Sequence, residues 1–298
     1  MNKKNSKTVS LVLGSGGARG LAHIGVIRWM EKNGHEIKAI SGCSIGSLIG
    51  GVYAAGKLDE LEKWMLSIEE LDIVNLLDLS WGRAGLFKGD KIIKTLIELL
   101  EDIQIEDLDI PYTAVATDIA TEKEVWINSG SLFDAIRASI SLPLFFTPVR
   151  YKDSILIDGG VLNPVPIAPT FKYKTDLTIA VNLGGDLVQE TKAEELVEEL
   201  KDTEFSFEES LRKFFRSIQK PEKDSKDEKI GMYEVMDRAF DTMQSAISRQ
   251  KIAAYPPDMV IEIPRNACGT LEFDRAKEMI DLGFKTAKRT FKTIGKKA

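Results

Sequence analysis

The stretch Ile37-Lys38-Ala39-Ile40-Ser41-Gly42-Cys43-Ser44-Ile45-Gly46-Ser47-Leu48-Ile49 decides how the rest of the chain is read. Ile37 to Ser41 predicts a strand, and the small apolar residues from Ser47 to Ala55 predict a helix. Between them, Gly42-Cys43-Ser44-Ile45-Gly46 has the form G-x-S-x-G. A serine on so sharp a strand-to-helix turn carries its hydroxyl above the sheet edge. Glycine suits positions 42 and 46 because strand and helix crowd together there, leaving no room for Cβ atoms. The N-terminus of the following helix also favours negative charge developing on an adduct of Ser44. A chain this long matches G-x-S-x-G by chance roughly one time in ten, so the flanking strand and helix carry the specificity. The plainer alternative is a tight turn whose serine only caps a helix. Cys43 stands one residue before the apex, where its side chain points back into the protein. It reads as a buried structural thiol, not a nucleophile.

Moving toward the N-terminus, Val9 to Leu13 predicts a buried strand and Leu21 to Lys32 a helix. They are joined by Gly14-Ser15-Gly16-Gly17-Ala18-Arg19-Gly20. Backbone N–H groups of such a loop converge on an anion, which suits either a dinucleotide pyrophosphate or the oxyanion of acyl transfer. The dinucleotide fingerprint G-x-G-x-x-G is broken by Arg19 in the sixth place, with Gly20 one residue late. Toward the C-terminus, helices are predicted over 58–73, 91–101 and 133–139. Strands are predicted over 112–117, 124–127, 155–157, 177–183 and 259–263. This alternation predicts a three-layer α/β/α fold around a mostly parallel sheet. Asp158-Gly159-Gly160 ends the short strand 155–157. If that strand is parallel to the others, Asp158 shares the C-terminal sheet edge with the glycine loop and Ser44. A turn-forming aspartate before two glycines is the alternative.

The whole-chain numbers narrow the chemistry. The chain has 298 residues, 43% of them hydrophobic, and a net charge of −6. That is enough apolar material for a real core and a poor balance for general nucleic-acid binding. Cys43 and Cys268 are the only cysteines, too few for a disulfide framework, and they suit a reducing cytoplasm. His23 and His35 are the only histidines and both precede Ser44. A Ser…Asp…His triad in the chain order of α/β-hydrolases is therefore excluded. Asp158 is then the base left to activate Ser44, and burial among apolar groups has to raise its proton affinity for that work.

Residues 186–230 carry 14 acidic and 9 basic side chains, which is nearly the whole charge imbalance. Within them Leu211, Phe214, Phe215 and Ile218 fall on one helical face bordered by Arg212, Lys213, Arg216 and Lys220. Such a face can cover an apolar cleft, lie on lipid, or be an ordinary surface helix. No apolar run is long enough for a signal peptide core or a membrane span. The expected location is cytoplasmic, and peripheral contact with the inner membrane surface is compatible with it. The basic C-terminal run (Lys285, Lys288, Arg289, Lys292, Lys296, Lys297) suits either an anionic membrane or its own helix dipole. Phe145 and Phe146 read either as core packing or as the lining of an acyl channel.

These motifs, in this order over roughly residues 9 to 185, resemble the patatin-like phospholipases, a family of lipid acyl hydrolases. Ala116-Thr117-Asp118 and Arg137-Ala138-Ser139-Ile140-Ser141-Leu142-Pro143 are similar to it as well. The resemblance implies a patatin-like fold, and the whole chain reads as one domain spanning 1–298 with the charged segment 186–230 inserted before the last strand. It implies a Ser–Asp dyad of Ser44 and Asp158, and an oxyanion hole at Gly16 and Gly17. Arg19 would hold that loop or the substrate. It implies a lipid or acyl-ester substrate, no nucleic acid partner, and neither metal nor cofactor. Two other classes stand beside this reading: a nucleotide- or phosphate-binding protein using the 14–20 loop, and a non-catalytic interaction protein on the same fold.

Overall fold

The computed structural model describes residues 6–68, 89–143, 145–187 and 232–294. Its centre is an eight-stranded sheet in the order β5-β6-β3-β2-β1-β7-β8, with β4 also paired to β3. The strands are β1 (Thr8–Leu13), β2 (Glu36–Cys43), β3 (Tyr112–Asp118), β4 (Lys123–Ile127), β5 (Val149–Tyr151), β6 (Ser154–Asp158), β7 (Leu177–Gly185) and β8 (Met259–Pro264). The helices are α1 (Ala22–Lys32), α2 (Ile45–Ala54), α3 (Leu58–Ser67), α4 (Asp90–Leu100), α5 (Leu132–Ser139), α6 (Met232–Ala254) and α7 (Ala276–Ile294). A mixed α/β fold with helices flanking a multistranded sheet is therefore present.

β1 is apolar on both sides because both sheet faces are covered. Val9, Leu11 and Leu13 enter the main core with α1, α2 and α7. Val12 and Ala180 meet Val165, Ile167 and Ile252 on the opposite face, where α6 lies. On the first face α1 and α7 cross almost backbone to backbone. A Cβ on Gly25 would stand 1.9 Å from Ile280 O, and one on Gly283 would stand 1.9 Å from Ala22 O. Glycine at both positions is thus a packing requirement of the outer layer.

One expectation is corrected by the sheet. β3, β2, β1, β7 and β8 are parallel, but β6 runs antiparallel to β3. Asp158 therefore does not reach the site as the end of a parallel strand. β3 overruns β2: Cys43 of β2 pairs with Val115, and Asp158 of β6 pairs with the next residue, Ala116. β4 occupies the other edge of β3 over 114–118, so β2 and β6 share one edge and meet end to end. Their C-terminal ends, and with them Ser44 and Asp158, face each other across one register step.

Three other differences are smaller. A 3-10 turn, Gly17–Leu21, intervenes between the glycine loop and α1, and α2 starts at Ile45, directly behind Ser44. The helix expected over 58–73 ends as α3 at Ser67, with Ile68 already extended, and residues 69–73 lie outside the described residues. α6 is a helix of 23 residues in a stretch to which the sequence reading assigned nothing. The amphipathic face expected over 211–220 lies outside the described residues, as do Lys296 and Lys297. Among the described residues no helix is long and apolar enough to cross a membrane.

Candidate active site

Ser44 sits at the turn between β2 and α2 with φ 54° and ψ −127°, a conformation that non-glycine residues adopt only under constraint. The constraint is visible on both sides of the residue. Its N–H donates to Ser139 Oγ at 3.0 Å, and that hydroxyl donates onward to Val115 O at 2.6 Å. Its carbonyl accepts from Ser47 N–H at 2.8 Å and from the Ser47 hydroxyl at 2.6 Å. The elbow glycines allow the turn. A Cβ on Gly42 would lie 2.4 Å from Gly46 O, and one on Gly46 would lie 2.2 Å from Leu13 O. Any larger residue at either position would push α2 off the sheet.

Asp158 is fully buried. Its Oδ1 accepts from Gly160 N–H at 2.7 Å and, more weakly, from the Cys43 thiol at 3.9 Å. Oδ2 makes no hydrogen bond of standard geometry, although the Ser44 hydroxyl is near enough to favour the charged carboxylate. Burial dominates and raises the carboxyl to about 6, against the opposing pull of Ser44, Gly160 and Cys43. Cys43, completely buried beside this carboxylate, has its thiol pushed well up by burial first and by the Asp158 charge second. It is a structural thiol.

The glycine loop is held by backbone bonds on both flanks. Gly14 N–H donates to Val181 O, Ser15 N–H to Pro164 O at 2.8 Å, and Ala18 N–H to Thr270 O at 2.9 Å. Between them, the N–H groups of Gly16 and Gly17 have no partner among the described residues. His23 packs beneath the loop, its Nε2 donating to Gly14 O at 2.8 Å. Burial lowers His23 to about 4, so it is a neutral prop at ordinary pH.

Arg19 holds the loop and does not line the Ser44 pocket. Its Nε donates to Gly16 O at 3.1 Å, its Nη1 to Arg265 O at 2.5 Å, and its two Nη atoms to both oxygens of Asp241 at 3.1 and 2.8 Å. Asp241 belongs to α6, as does Gln244, whose Nε2 donates to Ser15 Oγ at 3.1 Å. Sequence reasoning named neither. Their spacing of three on one helix was the available signal, but it looks the same on any solvated face.

In front of Ser44 lies an open pocket of about 870 Å3, its mouth included. Trp64, Met65 and Ile68 supply one wall, Leu142, Phe145 and Phe146 another, and Leu271 with Phe273 a third, while Gly17 and Ser44 reach it from the loops. Phe145 and Phe146 thus line the space the serine faces. Arg137 anchors the segment that carries them, donating to Ser141 Oγ at 2.7 Å and to Thr147 O at 3.2 Å. Asp118 ties the β3–β4 turn to β6, accepting from Ala120 N–H and the Thr121 and Ser154 hydroxyls. Among the described residues no three His, Cys, Asp or Glu side chains gather as metal ligands.

The sequence model described as patatin-like phospholipase matches residues 11–171, from β1 through the segment that follows Asp158. An uncharacterized NTE family protein of Mycobacterium tuberculosis is 39% identical over 323 aligned positions, covering 94% of this chain and 90% of that protein. Patatin-like phospholipase domain-containing protein 6 of Homo sapiens is 36% identical over 187 positions, 60% of this chain and 13% of that protein. Neuropathy target esterase sws of Drosophila melanogaster is 32% identical over 185 positions, again 60% of this chain and 13% of the fly protein. The chain therefore belongs to the patatin-like phospholipase family of lipid ester hydrolases.

Proposed function

We propose that the protein cleaves carboxylic esters of lipids through an acyl-enzyme, with Ser44 as nucleophile and Asp158 as base. The observation that carries this reading is the end-to-end meeting of β2 and β6. It sets a buried carboxylate beside a constrained serine that itself reaches an apolar pocket. Asp158 takes the Ser44 proton as Oγ attacks the ester carbonyl. A carboxyl near 6 is largely ionised at pH 7 and is a much better base than one near 4. The N–H groups of Gly16 and Gly17 receive the tetrahedral oxyanion, a contribution of about 3–4 kcal/mol per donor in comparable sites. Asp158 then returns the proton to the departing alcohol. In the second half-reaction it takes a proton from water, whose oxygen attacks the acyl carbonyl. Collapse of that intermediate releases the fatty acid and returns the proton to Ser44 Oγ.

The pocket argues for an acyl chain over a phosphate. Its walls are aromatic and aliphatic, and Arg19, the cation of the glycine loop, is already paired with Asp241. In this reading the chain is one hydrolase body with the 186–230 segment inserted before β8. It works in the cytoplasm and meets its substrate at a lipid surface. The test is fluorophosphonate labelling with hydrolysis of short- and long-chain esters by wild type, Ser44→Ala and Asp158→Asn. Labelling of wild type alone and loss of turnover in both variants is the expected result. An unlabelled, inert wild type, or a Ser44→Ala protein as active as wild type, overturns the proposal.

A further inference from the structure

We infer that Asp241 is a positioning residue that aims the oxyanion-binding amides through Arg19, so that α6 sets the rate of the chemical step. The inference rests on the reading of Gly16 and Gly17 as oxyanion donors. Its core is a single peptide plane. Arg19 Nε grips Gly16 O, and a trans peptide points its N–H opposite to its C=O. Fixing Gly16 O on the Arg19 side therefore turns Gly17 N–H the other way, and Gly17 is one of the residues lining the pocket in front of Ser44.

Arg19 can hold that plane only if its own orientation is fixed. The side chain is 6% exposed, and Asp241, at 31%, engages both terminal nitrogens in a fork-to-fork pair. Without Asp241 the buried guanidinium loses its counter-charge and the bond that sets its rotation, leaving it with carbonyl partners alone. A reoriented Arg19 releases Gly16 O, and a tilt of this peptide moves a donor that must sit within a few tenths of an ångström.

A second contact from the same helix reaches the other half of the site. Gln244, one turn beyond Asp241, donates to Ser15 Oγ, and both atoms occupy the space beside Gly160 that a side chain would need. A Cβ there would stand 2.1 Å from Gln244 Nε2, 2.8 Å from Ser15 Oγ and 3.0 Å from Asp158 Oδ1. α6 thus abuts both the oxyanion loop and the turn carrying the base.

The test uses the full chain, a soluble short-chain ester, and an alkyl trifluoromethyl ketone, which forms a tetrahedral oxyanion with Ser44. Asp241→Asn is expected to lower kcat about 10- to 100-fold with KM changed less than about twofold. Binding of the ketone should weaken in step with kcat, with the protein still folded at the assay temperature although its melting point falls as Arg19 loses its counter-charge. Asp241→Glu should recover most of the rate. Gln244→Leu, which leaves the Arg19 pair intact, should cost about threefold in kcat and keeps the idea testable if Asp241→Asn folds poorly. Lys251→Met cuts a different α6 tether, its ion pair with Glu124, and should leave kcat within twofold. Losses carried by KM, unchanged ketone binding, or an equal loss in Lys251→Met would sink the inference. A labelled wild type with unaltered Asp241 and Gln244 variants refutes this inference alone, whereas an unlabelled wild type refutes the dyad beneath it.

Discussion

The two sides of Ser44 are built from opposite materials. In front of it, α3 with Ile68, then Ile140, Leu142, Phe145 and Phe146, then Leu271 and Phe273 present an almost wholly apolar wall. Behind it, the glycine loop, the Asp158 turn and α6 form a dense polar lattice of Arg19, Asp241, Ser15, Gln244 and His23. Under the proposed function, the difference follows from what each side would have to do. An acyl chain is held by area removed from water, a non-directional force that tolerates varied shapes. An oxyanion and a proton are handled by groups whose directions must be fixed before the reaction begins, and hydrogen bonds supply direction. The front should therefore govern which substrate binds, and the back how fast it reacts.

The largest test of that division lies at the seam. Ser44→Ala and Asp158→Asn should each lower ester hydrolysis by at least about 10³-fold, with lipid binding to the front pocket retained. Turnover assays paired with binding of a non-hydrolysable ether lipid would read the two properties separately. A variant that lost binding and rate together would break the comparison.

Next in size is the pH profile. Asp158 must be ionised to accept the Ser44 proton, and burial raises it to about 6. The logarithm of kcat/KM should therefore be level above pH 7 and fall with a slope of one below about pH 6. A break near 4 would show that the base is not buried during turnover.

A smaller effect is expected at the front. Phe146→Ala removes an aromatic wall beside Leu142, and should raise KM for long-chain esters about tenfold while leaving short-chain kcat within about twofold. Equal losses for short and long chains would mean that Phe146 supports the reacting centre and not the chain.

The smallest effect concerns stability. The folded protein holds the Asp158 proton more tightly than the unfolded chain, since its carboxyl rises from 3.8 to about 6. A carboxyl raised in this way makes the fold less stable as pH increases through 4 to 6, by about 3 kcal/mol in all. Asp158→Asn should accordingly melt about 5 °C above wild type at pH 8 and close to it at pH 4. A polar back that is costly to assemble predicts this gain, and an unchanged melting point at pH 8 would contradict it.

Much of the site was legible because its chemistry requires particular residues at short range. The elbow at Ser44 needs glycine at 42 and 46, where main-chain atoms approach within 2.4 Å of the missing Cβ positions. The glycine loop is legible in the same way, since a Cβ on Gly14 would stand 2.8 Å from Val181 O. The front wall was half legible: two adjacent phenylalanines read first as core and second as a channel lining, and only their neighbours place them against the pocket. α6 was not legible at all. Its buried Gln244 and paired Asp241 are polar residues in a polar helix, and their partners Ser15 and Arg19 lie more than 220 residues away.

The order of amino acids was enough to read the serine turn, the glycine-rich loop, the lack of a histidine for a triad in hydrolase order and the alternation of strands and helices. Each is a local matter of backbone sterics, composition or periodicity. Tertiary structure alone decided how Asp158 arrives. A five-residue strand carries no mark of its direction, and β6 runs antiparallel along the edge that β3 leaves beyond the end of β2. The same is true of the proton affinity of Asp158, which comes from how completely the surrounding chain excludes water, and of the grip of α6 on the glycine loop. Burial and long-range pairing are properties of the packed whole, and no window of neighbouring residues contains them.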